Sequence, residues 1–259
     1  MALVATATQD HVGFITFDSP AKRNALSREM VDGIIGALDE FRRKQVRVAI
    51  LRAAPGASVW SAGHDVAELP IDGRDPLGWD DPLPNLIREL ESHPAPVVAM
   101  IEGTVWGGAC EVAFACDLIV ASPATTFAVT PAKLGVPYNV AGMVTFLNAA
   151  NLRVIKEMAF TAAPISASRA EQLGLVNHVV PVPELADFTL ALAQQVAANA
   201  PLSIAVMKEQ LRLLSGARPM SPQGFERIQG LRRIVYDSED FREGILAFRE
   251  KRRPVFKGR

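Results

Sequence analysis

The chain has 259 residues, 49% of them hydrophobic and 21% charged, with 27 Lys+Arg against 28 Asp+Glu. That apolar content excludes a disordered chain, and a formal net charge of −1 argues against a dedicated nucleic-acid binder, which carries a basic excess. Two cysteines and four scattered histidines exclude a disulfide scaffold and offer no metal-ligand cluster, and no apolar run approaches the roughly 20 residues that span a bilayer.

The first basic residue is Lys22, so no secretory leader or transit sequence is read, and a cytoplasmic setting is expected. Residues 11–17 (HVGFITF) and 46–52 (VRVAILR) alternate or run apolar and are predicted strands. Between them Ser27 stands where it caps a helix on which Met30, Ile34, Leu38 and Phe41 recur at helical spacing. The Pro-, Asp- and Gly-rich stretch 70–85 predicts a surface loop over a pocket. Residues 96–102 (PVVAMIE) form a strand that runs into glycines and then a short helix, GACEVAFACD, whose Cys110 and Cys116 read as core. DLIVAS (117–122) and VNHVV (176–180) are further strands, and this β–turn–α rhythm indicates an α/β layered fold. From about 184 to 251 the chain reads as successive helices, broken at 201, 216–219 and 237–238. Their apolar positions, Leu202, Leu211, Phe225 and Leu231 among them, need cover from the body or from another subunit.

Two glycine turns carry the candidate chemistry. In the run Gly103-Thr104-Val105-Trp106-Gly107-Gly108-Ala109-Cys110-Glu111 a strand passes through glycines into a helix, leaving unpaired N–H groups at the positive end of the helix dipole. Such donors suit an anion, or an oxygen that becomes one during reaction; tight strand–helix packing is the structural alternative. The run has neither the GK[ST] ending of a P-loop nor the spacing G-x-G-x-x-G. The second turn, Ser61-Ala62-Gly63-His64-Asp65, presents so little side chain that a ligand can approach the backbone closely. For His64 alone an acid–base role and an ordinary loop histidine both remain open.

Together the turns resemble the crotonase, or enoyl-CoA hydratase/isomerase, superfamily. Lys22-Arg23-Asn24-Ala25-Leu26, Leu134-Gly135-Val136-Pro137 and Phe248-Arg249-Glu250-Lys251-Arg252 extend the resemblance over essentially the whole chain. It implies a crotonase (ClpP-like) α/β fold of repeated β-β-α turns, with residues 1–195 as the acyl-CoA-binding catalytic core. It further implies a C-terminal helical region, 196–259, that builds a homo-oligomer, a trimer or a dimer of trimers. The backbone N–H groups of His64 and Gly108 would hold the thioester oxygen of an acyl-CoA. Ala62, Gly63, Asp65 and Val66 would meet the adenine or the pantetheine arm, and Lys22, Arg23 and Ala25 the CoA, with the two cations near its phosphates. Asp65 would also cap the turn that follows. Phe248 and Lys251 would reach the CoA of a neighbouring subunit.

The departures sharpen the expectation. Hydratases of the family carry two catalytic glutamates; Glu111 matches the first, but the second position holds Pro131, which moves no proton. The pocket instead gains His64, Thr130 and Tyr138, all hydrogen-bond donors. Donors in place of a carboxylate suit a substrate with its own carboxylate, since a glutamate about 4 Å away would cost on the order of 4 kcal/mol at an effective dielectric of 20. SAGHDVAELP, GRDPL, DDPL, GTVWGGA, LGVPYN, FERIQG and VYDSED, in this order, resemble the family's biotin-independent decarboxylating branch, which takes methylmalonyl-CoA to propionyl-CoA and CO₂. The resemblance implies no biotin, metal or redox cofactor, and no nucleic-acid or membrane partner. Tyr138 is expected to orient the carboxylate or deliver a proton. The His64 imidazole is left between binding that carboxylate, orienting the thioester and shaping its loop, and Glu111 is left without an assigned task. An enoyl-CoA hydratase/isomerase and a catalytically silent binding protein remain the rival readings.

Overall fold

The computed structural model describes residues 3–70, 75, 78, 81–217 and 219–259. It opens with an antiparallel pair, β1 (Val4–Gln9) and β2 (Val12–Phe17), followed by α1 (Arg28–Arg43). Ser27 caps α1 by accepting from the Met30 N–H, and Met30, Ile34, Leu38 and Phe41 all face the core. Phe41 lies so close over β2 that a Cβ on Gly13 would stand 2.4 Å from its ring, which is why a glycine interrupts that strand.

Three β-β-α units follow. They are β3 (Val48–Ala53), β4 (Val59–Ser61) and α2 (Pro82–Ser92); β5 (Val97–Ile101), β6 (Thr104–Trp106) and α3 (Gly108–Ala115); and β7 (Leu118–Ala121), β8 (Thr126–Ala128) and α4 (Val140–Ala149). After them come α5 (Leu152–Thr161), β9 (Ile165–Ser166), α6 (Ala167–Gln172), β10 (His178–Val179), α7 (Val182–Ala197), α8 (Pro201–Ser215), α9 (Pro222–Tyr236) and α10 (Glu239–Arg249). The first strand of each unit joins a six-stranded sheet, order β1-β2-β3-β5-β7-β10, and the second a four-stranded sheet, order β4-β6-β8-β9. Pairing is parallel throughout except for β1 with β2 and β8 with β9. This is the repeated β-β-α architecture expected from the sequence.

Period-two alternation sorts the side chains of the large sheet. Ile15, Phe17, Leu51, Ala99 and Ile101 enter the main core with α1, α2 and α3, whereas Val12, Ile50, Val98, Met100 and Val120 pack under α7. β5 is buried along its whole length, as a central parallel strand with both faces covered must be.

Two expectations change here. Half of the predicted loop 70–85 lies outside the described residues, but its last four, 82–85, form the first turn of α2, with Asp81 as N-cap and Pro82 in the first turn. Proline fits there because the first helical N–H groups have no intrahelical acceptor. α8 contributes no buried residue, whereas α10 folds back on its own body, where Phe241 and Ile245 pack with Leu69, Val136 and Tyr236. Gly244 makes this approach possible, since a Cβ there would stand 2.3 Å from the Leu134 carbonyl oxygen. Consequently Phe248 and Lys251, expected at a neighbouring subunit's site, line this chain's own cavity.

Candidate active site

The cavity measures about 760 Å³ and lies where the turns after β4 and β6 meet the 130–138 segment and the end of α10. Twelve of the fourteen residues singled out in the sequence line it: Lys22, Arg23, Ala25, Ala62, His64, Asp65, Val66, Gly108, Thr130, Tyr138, Phe248 and Lys251. The other two stand behind its wall. Gly63, at φ +83°, lets the turn pass the neighbouring strand, because a Cβ there would lie 2.4 Å from the Trp106 carbonyl oxygen and 2.9 Å from Gly108 N. Glu111 is buried on α3.

Neighbouring parallel strands bring the two donor turns together. β4 and β6 pair in parallel, with a register shift between Val59 and Ser61, and the turns that follow them, 61–65 and 107–108, come out side by side. The turn at 61–65 is held on its other side by Leu26 N–H donating to the Gly63 carbonyl at 2.8 Å. A Cβ on Gly108 would stand only 3.5 Å from His64 N. Neither the His64 nor the Gly108 N–H meets an acceptor among the described residues. Gly108 opens α3, so its N–H adds the positive end of the helix dipole. Two free donors this close can hold one oxygen that gains negative charge.

The His64 ring is occupied elsewhere. Its Nε2 lies 3.0 Å from Asp81 Oδ2 and its Nδ1 3.2 Å from the Asp65 carbonyl oxygen. Burial alone would lower its pKa, but the Asp81 carboxylate, aided by the Asp65 carbonyl and Glu68, outweighs that and holds it above the ordinary histidine value. Both ring nitrogens of the imidazole thus have protein partners. Asp65 caps the turn Val66–Glu68 as expected, accepting from Ala67 N–H at 3.0 Å, and pairs with Lys22 at 3.3 Å.

Opposite the donors the 130–138 segment supplies the rest. Thr130 Oγ1 overhangs the Gly107 turn, 3.1 Å from where a Cβ would stand. Pro131 lines the wall. Gly135, at φ +65°, turns the chain so that Tyr138 enters the cavity. The Tyr138 ring meets Phe146 edge-on at 5.0 Å, and its hydroxyl is buried with no hydrogen-bond partner among the described residues. Burial first, then the nearby Glu111, pushes its pKa well up, so it is a neutral donor. A Cβ on Gly142 would lie 2.9 Å from Tyr138 and 3.0 Å from Glu111 Oε1, so these two side chains face each other across that glycine. Burial, with the charges of Glu91 and Asp81, pushes the Glu111 carboxyl up to about 8, leaving it mostly protonated at neutral pH. Proline in place of a second carboxylate, a neutral glutamate and an orphaned hydroxyl give the acyl end room for a negative group.

Sequence reasoning passed over Asp81, Leu83 and Arg249. Leu83 and Arg249 line the cavity, and Asp81 grips His64. The Asp-Pro step at 81–82 is an N-cap signature that marked a helix start inside the expected loop. Among the described residues no group of three or more His, Cys, Asp or Glu is arranged to hold a metal ion. No single described helix is long and apolar enough to cross a membrane.

The family model for enoyl-CoA hydratase/isomerase matches residues 7–259. The chain belongs to that family. It is 49% identical over 255 residues to the methylmalonyl-CoA decarboxylase of Escherichia coli strain K12, covering 98% of each chain. A solved methylmalonyl-CoA decarboxylase in complex with 2-nitronate-propionyl-CoA superposes with a TM-score of 0.98 at 49% identity, covering 99% of both chains. A second, complexed with 2S-carboxypropyl CoA, gives 0.97 at 49% identity over 99% of this chain and 98% of that one. The fold of this family member is thus that of a crotonase from end to end.

Proposed function

We propose that this chain is a carboxy-lyase that converts methylmalonyl-CoA to propionyl-CoA and CO₂. The observation that carries the reading is the pairing of an oxyanion turn with a wall that has proline at residue 131, an uncharged Glu111 and the free Tyr138 hydroxyl. The 49% identity to a methylmalonyl-CoA decarboxylase supports it.

The chemistry follows from the geometry. The thioester oxygen accepts from His64 N–H and Gly108 N–H. Tyr138 donates to the substrate carboxylate and holds it out of the thioester plane, so the breaking C–C bond aligns with the carbonyl π system. The bond breaks heterolytically, CO₂ leaves without the electron pair, and that pair enters the thioester as an enolate on the two N–H donors. Each turnover then takes up one proton at the α-carbon. The thioester carbonyl is itself the electron sink, so the reaction asks nothing of biotin or a metal. Lys22, Arg23 and Lys251 at the rim suit the phosphates of CoA.

The assembled protein is proposed to be a homotrimer or a dimer of trimers, built through α8 and the outer face of α9. Leu202 is 82% exposed, Leu211 68% and Leu214 74%. Leu211→Asp should reduce the sedimenting mass; an unchanged mass would remove α8 from the interface. An acyl-CoA substrate and two unpaired, buried cysteines suit a cytoplasmic setting.

The test is direct. The purified protein is mixed with malonyl-, methylmalonyl- and crotonyl-CoA and the products are followed by mass. Propionyl-CoA from methylmalonyl-CoA is the expected result. Turnover of crotonyl-CoA alone would make the chain a hydratase or isomerase, and turnover of none would leave a binding protein.

A further inference from the structure

Among the described residues, Asp81 is the carboxylate bonded to both sides of the donor pair. Its Oδ2 accepts from His64 Nε2 at 3.0 Å, and its Oδ1 accepts from the Leu83 N–H at 2.9 Å, starting α2. Leu83 in turn lies over Gly108, where a Cβ would stand 2.7 Å from Leu83 Cδ2. One carboxylate thus fixes the residue that supplies the first donor and the side chain that covers the second.

The protonation of His64 follows from its neighbours. A carbonyl oxygen only accepts, so Nδ1, 3.2 Å from the Asp65 carbonyl, carries a proton. The Asp81 carboxylate also only accepts, so Nε2 carries the other. Both side chains are nearly buried, at 11% and 13% exposure, so the pair is weakly screened. The titratable groups around it are Asp65 and Glu68 beside the turn, Lys22 paired with Asp65, and the neutral Glu111 on α3, whose carboxyl feels Asp81.

We infer that Asp81 is a positioning residue: it locks His64 as a doubly hydrogen-bonded imidazolium and seats Leu83 over Gly108, holding the two backbone donors at one aim. Asp81 does not act on substrate itself. The inference rests on the proposed decarboxylation only for its kinetic consequence, because the locked ring is a property of the free protein.

The test has two arms. In the first, ¹⁵N and ¹H NMR of the parent protein, with His64→Gln used to assign the signal, should show both ring nitrogens protonated at neutral pH. The midpoint should lie above the ordinary value of 6.5. A neutral ring of either tautomer at pH 7 would overturn the inference without any variant of Asp81. In the second, Asp81→Asn keeps an oxygen to cap α2 but turns a donor toward Nε2. The His64 midpoint should fall, and kcat for methylmalonyl-CoA should drop roughly ten- to a hundredfold as the donors lose their aim, with KM little changed. The kcat profile of this variant should gain a pH dependence that follows the lowered midpoint, and Asp81→Glu should restore the midpoint. A folded Asp81→Asn protein with parental kcat and parental His64 titration would sink the idea. A parent that decarboxylates nothing would instead refute the functional reading and leave the NMR arm standing.

Discussion

Replacing Tyr138 by phenylalanine removes one oxygen and leaves the ring against Phe146, so it separates what the hydroxyl does for the fold from what it does for the reaction. In the free protein that hydroxyl is buried without a hydrogen-bond partner among the described residues. A buried polar group left unpaired costs about 1–3 kcal/mol, so Tyr138→Phe should unfold at equal or higher urea concentration than the parent. During turnover the same hydroxyl would donate to a carboxylate, a bond worth about 1.5–3 kcal/mol. At about 1.36 kcal/mol per decade, decarboxylation should fall roughly ten- to a hundredfold. Binding of a CoA ester without the extra carboxylate, read by calorimetry, should barely change. The two effects have opposite sign, and general damage to the pocket would not produce that pattern. A variant less stable than the parent would show that the hydroxyl has a structural partner in the fold, and undiminished turnover would show that the carboxylate sits elsewhere.

Three further outcomes are expected. Gly108→Pro removes one oxyanion donor and should cost about 2.7–4 kcal/mol of transition-state stabilisation, a hundredfold or more in rate; activity within threefold of the parent in a folded protein would exclude that donor. Pro131→Glu puts a carboxylate on the cavity wall, where repulsion of a substrate carboxylate about 4 Å away is on the order of 4 kcal/mol, so methylmalonyl-CoA turnover should fall steeply in a direct kinetic comparison. The third concerns pH: Glu111 keeps its proton to about pH 8 in the folded protein, while the unfolded chain releases it near 4.5. Between those values the folded state binds more protons, so the stabilisation is complete below 4.5 and is lost as pH rises toward 8, at up to about 1.4 kcal/mol per unit. His64, also held above its ordinary 6.5, acts in the same direction over the upper part of that window. Urea melts from pH 5 to 8 should show a declining stability that flattens in Glu111→Gln, and parallel curves for the two proteins would count against a buried, protonated Glu111.

The sequence by itself determined what local chemistry decides. Period-two alternation set the strands of the large sheet on their two faces, Ser27 and the spacing of Met30, Ile34, Leu38 and Phe41 set α1, and the breaks at 201, 216–219 and 237–238 divided the C-terminal helices. The glycines at 63, 107 and 108 marked the donor turns because positive φ and close backbone approach exclude a Cβ, and that exclusion is visible in a linear chain. Asp81 was legible as a helix cap, but its second bond, to a histidine 17 residues earlier, depends on how α2 returns to the turn after β4. The direction of the His64 ring, the facing of Glu111 and Tyr138 across Gly142, and the return of Phe248 and Lys251 to their own chain's cavity were decided only by tertiary packing. Each is a contact through space between segments whose local conformations are compatible with other placements. Burial then shifts the titrations: desolvation raises the Glu111 carboxyl, and the Asp81 carboxylate raises the His64 imidazole against the same penalty.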